Sequence, residues 1–438
     1  MGRKTEETDG GERSMKKFDK GFLLGASTAA HQVEGNNTHS DFWAMEQMEY
    51  SSFDEPSLDA VDHYHHFKED IDLMAEAGLN AYRFSIEWAR IEPEHGKFDE
   101  SEIAHYREVL EYCREKGIEP VVTMHHFSSP KWLIEEGGWE NEETIGKFAD
   151  YCAYTVRQLG SLMQYVCTIN EANMGIQMAA ITARYAKMMQ SSENSNLQVG
   201  VNLGGNAFAE RMQKQAEENQ KVFGTVKPET FLSGRTKAGD EIIMQAHQAA
   251  KTAMKQICPE LKVGLTLSLH DIQPLPGGEA LAKKEWEEEF LHYLPYLRED
   301  DFFGLQNYTR TLIGKEGTLP VPKGTETTQM GYEFYPQALG HVIRTVYQEL
   351  KLPILVTENG IGTADDKRRI AFIEEALKGV AECKEDKIPV IGYLHWSLLD
   401  NFEWQKGFSR TFGLIAVDRT TQKRYPKESL GYLGQFCS

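Results

Sequence analysis

A chain of 438 residues with 40% hydrophobic and 11% aromatic side chains can bury a large core. Its 47 basic and 67 acidic residues leave a net charge of −20, which argues against a nucleic-acid partner and, on average, against a phosphorylated or polyanionic substrate. No stretch approaches the roughly 18 apolar residues of a membrane span, the polar N-terminus has no signal-type apolar run, and the dispersed cysteines match neither a CxxC nor a zinc spacing, so a cytoplasmic chain with no membrane partner is expected.

In chain order, residues 1–18 read as a flexible N-terminal tail and 19–438 as one domain. Eight short β-rich runs recur: 21–30 (GFLLGASTAA), 81–88 (AYRFSIEW), 119–127, 165–173, 263–270, 301–309, 353–360 and 390–398. Most begin apolar and turn polar at their C-terminal ends. The segments between them have helical spacing. Phe67, Ile71 and Met74 fall at i, i+4 and i+7, with Gly78 as a stop, and 102–117 and 370–383 are similar. Strand–helix alternation means parallel strands joined by crossovers, and eight units predict an α/β fold closed as a (β/α)₈ TIM barrel. In that architecture the polar strand ends meet at one mouth. Residues 186–240, rich in Gln, Asn, Ser, Gly and charge, break the rhythm and are expected to form a long loop region with some helix.

Two strand-end glutamates stand out. Glu171 follows Thr168-Ile169-Asn170 at the fourth strand, and Glu358 lies between Val356-Thr357 and Asn359-Gly360 at the seventh. Hydrolysis of a glycoside needs two carboxyl groups in different protonation states. Arg83 sits between Tyr82 and Phe84 inside the second strand, and a buried Arg needs a carboxylate, so it is the expected cation for Glu358. Tyr308, at the sixth strand end, is a second donor. On this reading Glu171 has a raised pKa and Glu358 a lowered one. His125 and His126 point to opposite faces, so one of them is structural. His63, His65 and His66 lack a matching carboxylate arrangement and read as solvated or packing groups, and His31 is as readily structural as functional.

The motifs together resemble glycoside hydrolase family 1, from residue 22 to about 433: FLLGASTAAHQVEG, YRFSIEWARIEP, HHF, TINEA, QNYT, VTENG, GYLHWSLLDNFEWQKGF and FGLIAVD, in order, each on its expected strand. The resemblance implies a retaining exo-β-glycosidase of β-glucosidase type, with galactosides or fucosides as further substrates, and no metal or cofactor. Its partner would be a small-molecule β-glycoside or oligosaccharide. Glu171 would be the acid/base and Glu358 the nucleophile, with Tyr308 and Arg83 orienting it. Asn170 would hold the sugar 2-hydroxyl. Gln32, His126, Glu403 and Trp404 would bind the other hydroxyls, and Trp396 would lie beneath the ring.

Three motifs depart from the family pattern. Ala172 stands for the usual Pro, Phe127-Ser128 for Trp-Asp, and Gln306-Asn307 precede Tyr308 where Asn-Tyr is usual. They are expected to reshape the pocket rim and the sugar preference, not to remove activity. Two alternatives are a 6-phospho-β-glycosidase and a non-catalytic sugar-binding protein. Against the first, Glu403-Trp404-Gln405-Lys406 replaces a basic, hydroxyl-bearing cradle.

Overall fold

The eight β-rich runs are strands of one closed circuit. The computed structural model describes residues 16–192 and 206–438. Strands β1 (Leu23–Ser27), β2 (Ala81–Ser85), β3 (Glu119–His125), β4 (Tyr165–Ile169), β5 (Lys262–Ser268), β6 (Phe302–Gln306), β7 (Ile354–Asn359) and β8 (Val390–Trp396) pair in parallel in chain order. β8 closes on β1, with Leu24 opposite Tyr393 and Ser27 opposite Trp396. Inside, Leu23, Ala81, Val121, Cys167, Phe302, Leu355 and Leu394 form one packed cluster. Their chain neighbours, such as Leu24, Val122, Phe303 and Val356, pack outward under the helices. This period-2 alternation decides which later residues reach the mouth of the barrel.

The crossovers are α1 (His63–Glu76), α2 (Glu100–Glu115), α3 (Glu143–Leu159), then α4 (Met174–Ser192), α5 (Asn206–Phe223) and α6 (Lys237–Ile257) together after β4. They are followed by α7 (Glu279–Glu289), α8 (Ala338–Leu350), α9 (Asp366–Glu385) and the closing α10 (Glu428–Gly434). α1 buries Phe67, Ile71 and Met74, and Gly78 follows it with φ of 89°. α2 starts at Asp99, whose carboxylate accepts from the N–H groups of Ser101 and Glu102 at 2.8 and 3.3 Å.

Two sequence expectations change. The 186–240 stretch is mostly helix in its described part, not loop: it holds the end of α4, all of α5 and the start of α6. Its polarity suggested a loop, yet α5 (NAFAERMQKQAEENQKVF) consists mostly of strong helix formers. The Glu218 carboxylate anchors it by accepting from the N–H groups of Glu49 and Tyr50 at 3.0 and 2.9 Å, and Phe223 is buried. The Gly204-Gly205 pair lies outside the described residues, as does most of the expected N-terminal tail. The end of that tail is anchored: Phe18 is buried, stacks on Phe22 at 4.2 Å and donates its N–H to the Phe436 carbonyl at 2.9 Å.

The C-terminal hairpin of Ile415–Asp418 and Lys423–Pro426 docks on α1 through a buried charge pair. Arg424 donates to both oxygens of Asp70 at 2.8 and 2.9 Å, and the His63 ring meets Asp70 at 2.7 Å. Burial alone would raise the Asp70 pKa, but the His63 and Arg424 hydrogen bonds hold it below the usual carboxylate range. That contribution is present above the unfolded-state pKa and is lost as pH falls through the folded value. Arg424→Met, which strands a buried carboxylate, is expected to lower the unfolding free energy by about 3–5 kcal/mol in urea titrations. A change under about 1 kcal/mol would mean that the hairpin docks by packing alone.

Candidate active site

The mouth of the barrel gathers side chains from all eight strand ends or the turns just after them. Arg83 on β2 is in phase with the inward Ala81, and Gln306 on β6 with the inward Phe302. Strict alternation from the inward Leu355 would turn Glu358 outward. A register shift between Val356 and Glu358 against β6 turns it in instead. Glu171 sits one residue beyond Asn170 at the end of β4, with φ of 43° and its N–H donated to the Thr266 hydroxyl of β5 at 2.9 Å.

Glu358 is held on both oxygens. Arg83 Nη1 and Gln306 Nε2 donate to Oε1 at 2.6 and 3.0 Å, and the Tyr308 hydroxyl donates to Oε2 at 2.5 Å. The other guanidinium nitrogen, Nη2, donates to Asn170 Oδ1 at 2.6 Å. That leaves Asn170 Nδ2 as the donor to His126 Nε2 at 3.1 Å. Burial first, then the charge of Arg83, keeps His126 neutral, with its pKa well below the usual histidine value. Its proton is therefore on Nδ1, a buried atom without a hydrogen-bond partner among the described residues, as is Gln32 Oε1. A donor and an acceptor left open in a buried pocket suit a polar ligand with several hydroxyls.

The two carboxyls have unequal environments. Burial raises Glu171 most, and the negative charge of Glu358 raises it further; a Ser268 hydrogen bond opposes this only in part. Burial also raises Glu358, but Arg83 and Tyr308 pull it back. The Glu358 pKa is thus not lowered below its ordinary value, as the sequence suggested, because desolvation outweighs the guanidinium. The order survives: Glu358 gives up its proton before Glu171. Glu403 is half-buried; desolvation and the same charge push it up to about 8, with the Gln32 hydrogen bond and Arg410 opposing.

Gln32 follows β1 and bridges to the loop after β8, donating to the Phe402 carbonyl at 2.8 Å and to Glu403 at 3.3 Å. Trp396 ends β8 and lies nearly parallel to His126 at 5.6 Å, with Trp404 at 5.9 Å from the same ring. His125 faces away, bonded to Ser129 at 2.9 Å and packed on Trp139. His31 is taken up by Glu46 at 2.7 Å and Asn37 at 3.1 Å, which makes it structural. His65 pairs with Asp62 and His66 with Glu69, each a local contact.

The departures have local reasons. Ala172 donates its N–H to the Thr266 carbonyl at 3.0 Å, a bond that proline could not make. Phe127 packs on Trp404 and Phe231 at 5.2 and 5.8 Å, so that wall is carbon. Sequence reasoning did not place Gln306 in the site, although its phase with Phe302 marks it as inward. It also missed Tyr332, whose ring lies 6.4 Å from that of Tyr308. Burial, then the charges of Glu403 and Glu171, raises the Tyr332 pKa. It comes from the loop before α8, where no periodicity signals it.

The family model described as glycosyl hydrolase family 1 matches residues 14–438. The chain belongs to glycosyl hydrolase family 1. This family 1 chain is therefore a glycoside hydrolase acting on small-molecule glycosides. It is similar to the crystal structure of β-glycosidase BGL167, at 44% identity and a TM-score of 0.84, covering 96% of each chain. It is also similar to a β-glucosidase of Agrobacterium sp. (strain ATCC 21400), 28% identical over 94% of both chains. A 6-phospho-β-galactosidase of Lacticaseibacillus casei is 28% identical as well, over 94% of this chain and 96% of its own.

Proposed function

We propose that the chain is a retaining exo-β-glycosidase of β-glucosidase type. The observation that carries this is the unequal electrostatics of Glu171 and Glu358 in one buried pocket. Glu358, held ionised by Arg83 and Tyr308, attacks the anomeric carbon. Glu171, protonated, gives its proton to the departing oxygen as the C–O bond breaks. The sugar is left as an ester of Glu358. Glu171, now an anion, takes a proton from water, and that water attacks the same carbon and frees Glu358. Two inversions leave the β configuration.

Asn170 donates through Nδ2 to the sugar 2-hydroxyl, a contact that strengthens in the transition state. Gln32, His126, Glu403 and Trp404 take the remaining hydroxyls, and Trp396 covers the C–H face of the ring. The bridge from Gln32 to Phe402 and Glu403 joins the neighbouring β1 and β8 ends and holds two of these hydroxyl-binding groups together. Glu403 supports an unphosphorylated sugar, because a carboxyl there, already hard to ionise, neutralises none of the charge of a phosphate dianion. A cytoplasmic setting belongs to the same proposal, supported by six free cysteines, five of them buried.

Aryl β-glucoside, galactoside, fucoside, xyloside and 6-phosphoglucoside, offered side by side, test this reading. Cleavage of the glucoside well above the phosphoglucoside is expected, with the β-anomer as the first sugar seen by NMR. An α-anomer first would exclude the double displacement. The kcat/KM profile should be bell-shaped, falling at low pH as Glu358 protonates and at high pH as Glu171 loses its proton.

A further inference from the structure

We propose that Gln306 is a positioning residue that locks Glu358 and Asn170 into one unit and selects which oxygen of Glu358 attacks. The inference rests on the reading of Glu358 as nucleophile. Gln306 is fully buried, and its Nε2 donates to Asn170 Oδ1 at 2.6 Å and to Glu358 Oε1 at 3.0 Å. An amide nitrogen has two hydrogens, so both are engaged. The opposite amide orientation would set an oxygen against two acceptors, which forbids it. Arg83 makes the same two contacts through Nη1 and Nη2, both at 2.6 Å. Each acceptor oxygen therefore carries one charged and one neutral donor at 3.0 Å or less, and Asn170 Oδ1 also has the Thr266 hydroxyl at 3.4 Å. Asn170 has no freedom to flip, and its Nδ2 stays toward His126 and the pocket.

The same count separates the two oxygens of Glu358. Oε1 holds Arg83 and Gln306, whereas among the described residues Oε2 holds Tyr308 alone. Attack through Oε1 would sacrifice two donors, and attack through Oε2 only one. The Oε2–C1 bond forms as the bond from C1 to the leaving oxygen breaks, and that oxygen takes the Glu171 proton. Oε1 becomes the carbonyl oxygen of the ester and keeps both donors. Gln306 thus acts in both steps, whereas Tyr308 must release Oε2 in the first. A shorter asparagine at position 306 reaches less far from the β6 end, so the length of the side chain is part of the device.

The test compares Gln306→Leu, Gln306→Asn and Glu358→Gln with the unmodified chain, after circular dichroism has established folding. Rates are measured across pH on an aryl β-glucoside and on its 2-deoxy analogue. Gln306→Leu should lower kcat/KM roughly 100-fold on the glucoside, as expected for a lost oriented donor, mostly in kcat. Its acidic limb should move to higher pH, because the Glu358 anion loses a donor. Gln306→Asn should fall between Leu and Gln. The loss should shrink on the 2-deoxy substrate, where Asn170 has no hydroxyl to meet. An unmoved acidic limb with wild-type rates in Gln306→Leu, or in Gln306→Asn if the leucine variant does not fold, overturns the proposal. An equal loss on both substrates overturns the link to Asn170. Turnover by Glu358→Gln would instead remove the nucleophile reading itself.

Discussion

Glu358→Gln is expected to lower kcat/KM on an aryl β-glucoside by at least about 10⁴-fold, roughly 5 kcal/mol of transition-state stabilisation. The amide is close to the carboxylate in size and can keep some contact with Tyr308. It has no anionic oxygen to bond to the anomeric carbon. It also leaves the buried Arg83 guanidinium without its counter-charge, so the variant should unfold at lower denaturant as well. The two losses are separable, because substrate protection of the folded variant reports binding without turnover. Wild-type rates in a preparation free of contaminating enzyme would remove Glu358 from its role.

Glu171→Ala should split the reaction by leaving group. A dinitrophenyl glycoside departs without a proton, so its first step should persist within about tenfold. An alkyl glycoside or disaccharide should lose about 10²–10⁴-fold, the usual contribution of a positioned acid. The second step also loses its base, so the covalent sugar accumulates and KM falls along with kcat. Azide, a nucleophile that needs no base, should restore turnover of the dinitrophenyl substrate and yield a β-glycosyl azide. The sign of the pH effect follows from the raised Glu171 pKa. The intact chain loses activity as pH rises through that value, and the variant should have no such limb. A variant that kept the limb would assign the acid to another group, Glu403 being the first to examine.

The strands were legible because alternation and apolar character are local properties. Every strand begins within two residues of its sequence-based start, but each ends earlier. The overrun residues, such as Asn170, Glu171 and Tyr308, continue the β-rich pattern in sequence while leaving the barrel as mouth turns. Glu358 was recognised from its motif, yet its inward direction comes from a register shift that no periodicity announces. Gln306 was read only as a rim change, because the reach of a side chain to two partners on β4 and β7 depends on barrel closure. The helices of the 186–240 region were hidden by polarity, since an exposed helix carries little apolar stripe to detect. The pKa of Glu358 was read from its partners alone; the depth of burial that outweighs them is a tertiary property.

The backbone at Glu171 is left-handed, with φ of 43°. Asparagine or glycine occupies such φ values with less steric cost than glutamate, and neither would bring an ionisable group out of water. Local comfort and solvation both disfavour the residue that stands there. The rest of the barrel has to outweigh that burden, which makes position 171 a place where the best-folding chain and the working chain call for different amino acids.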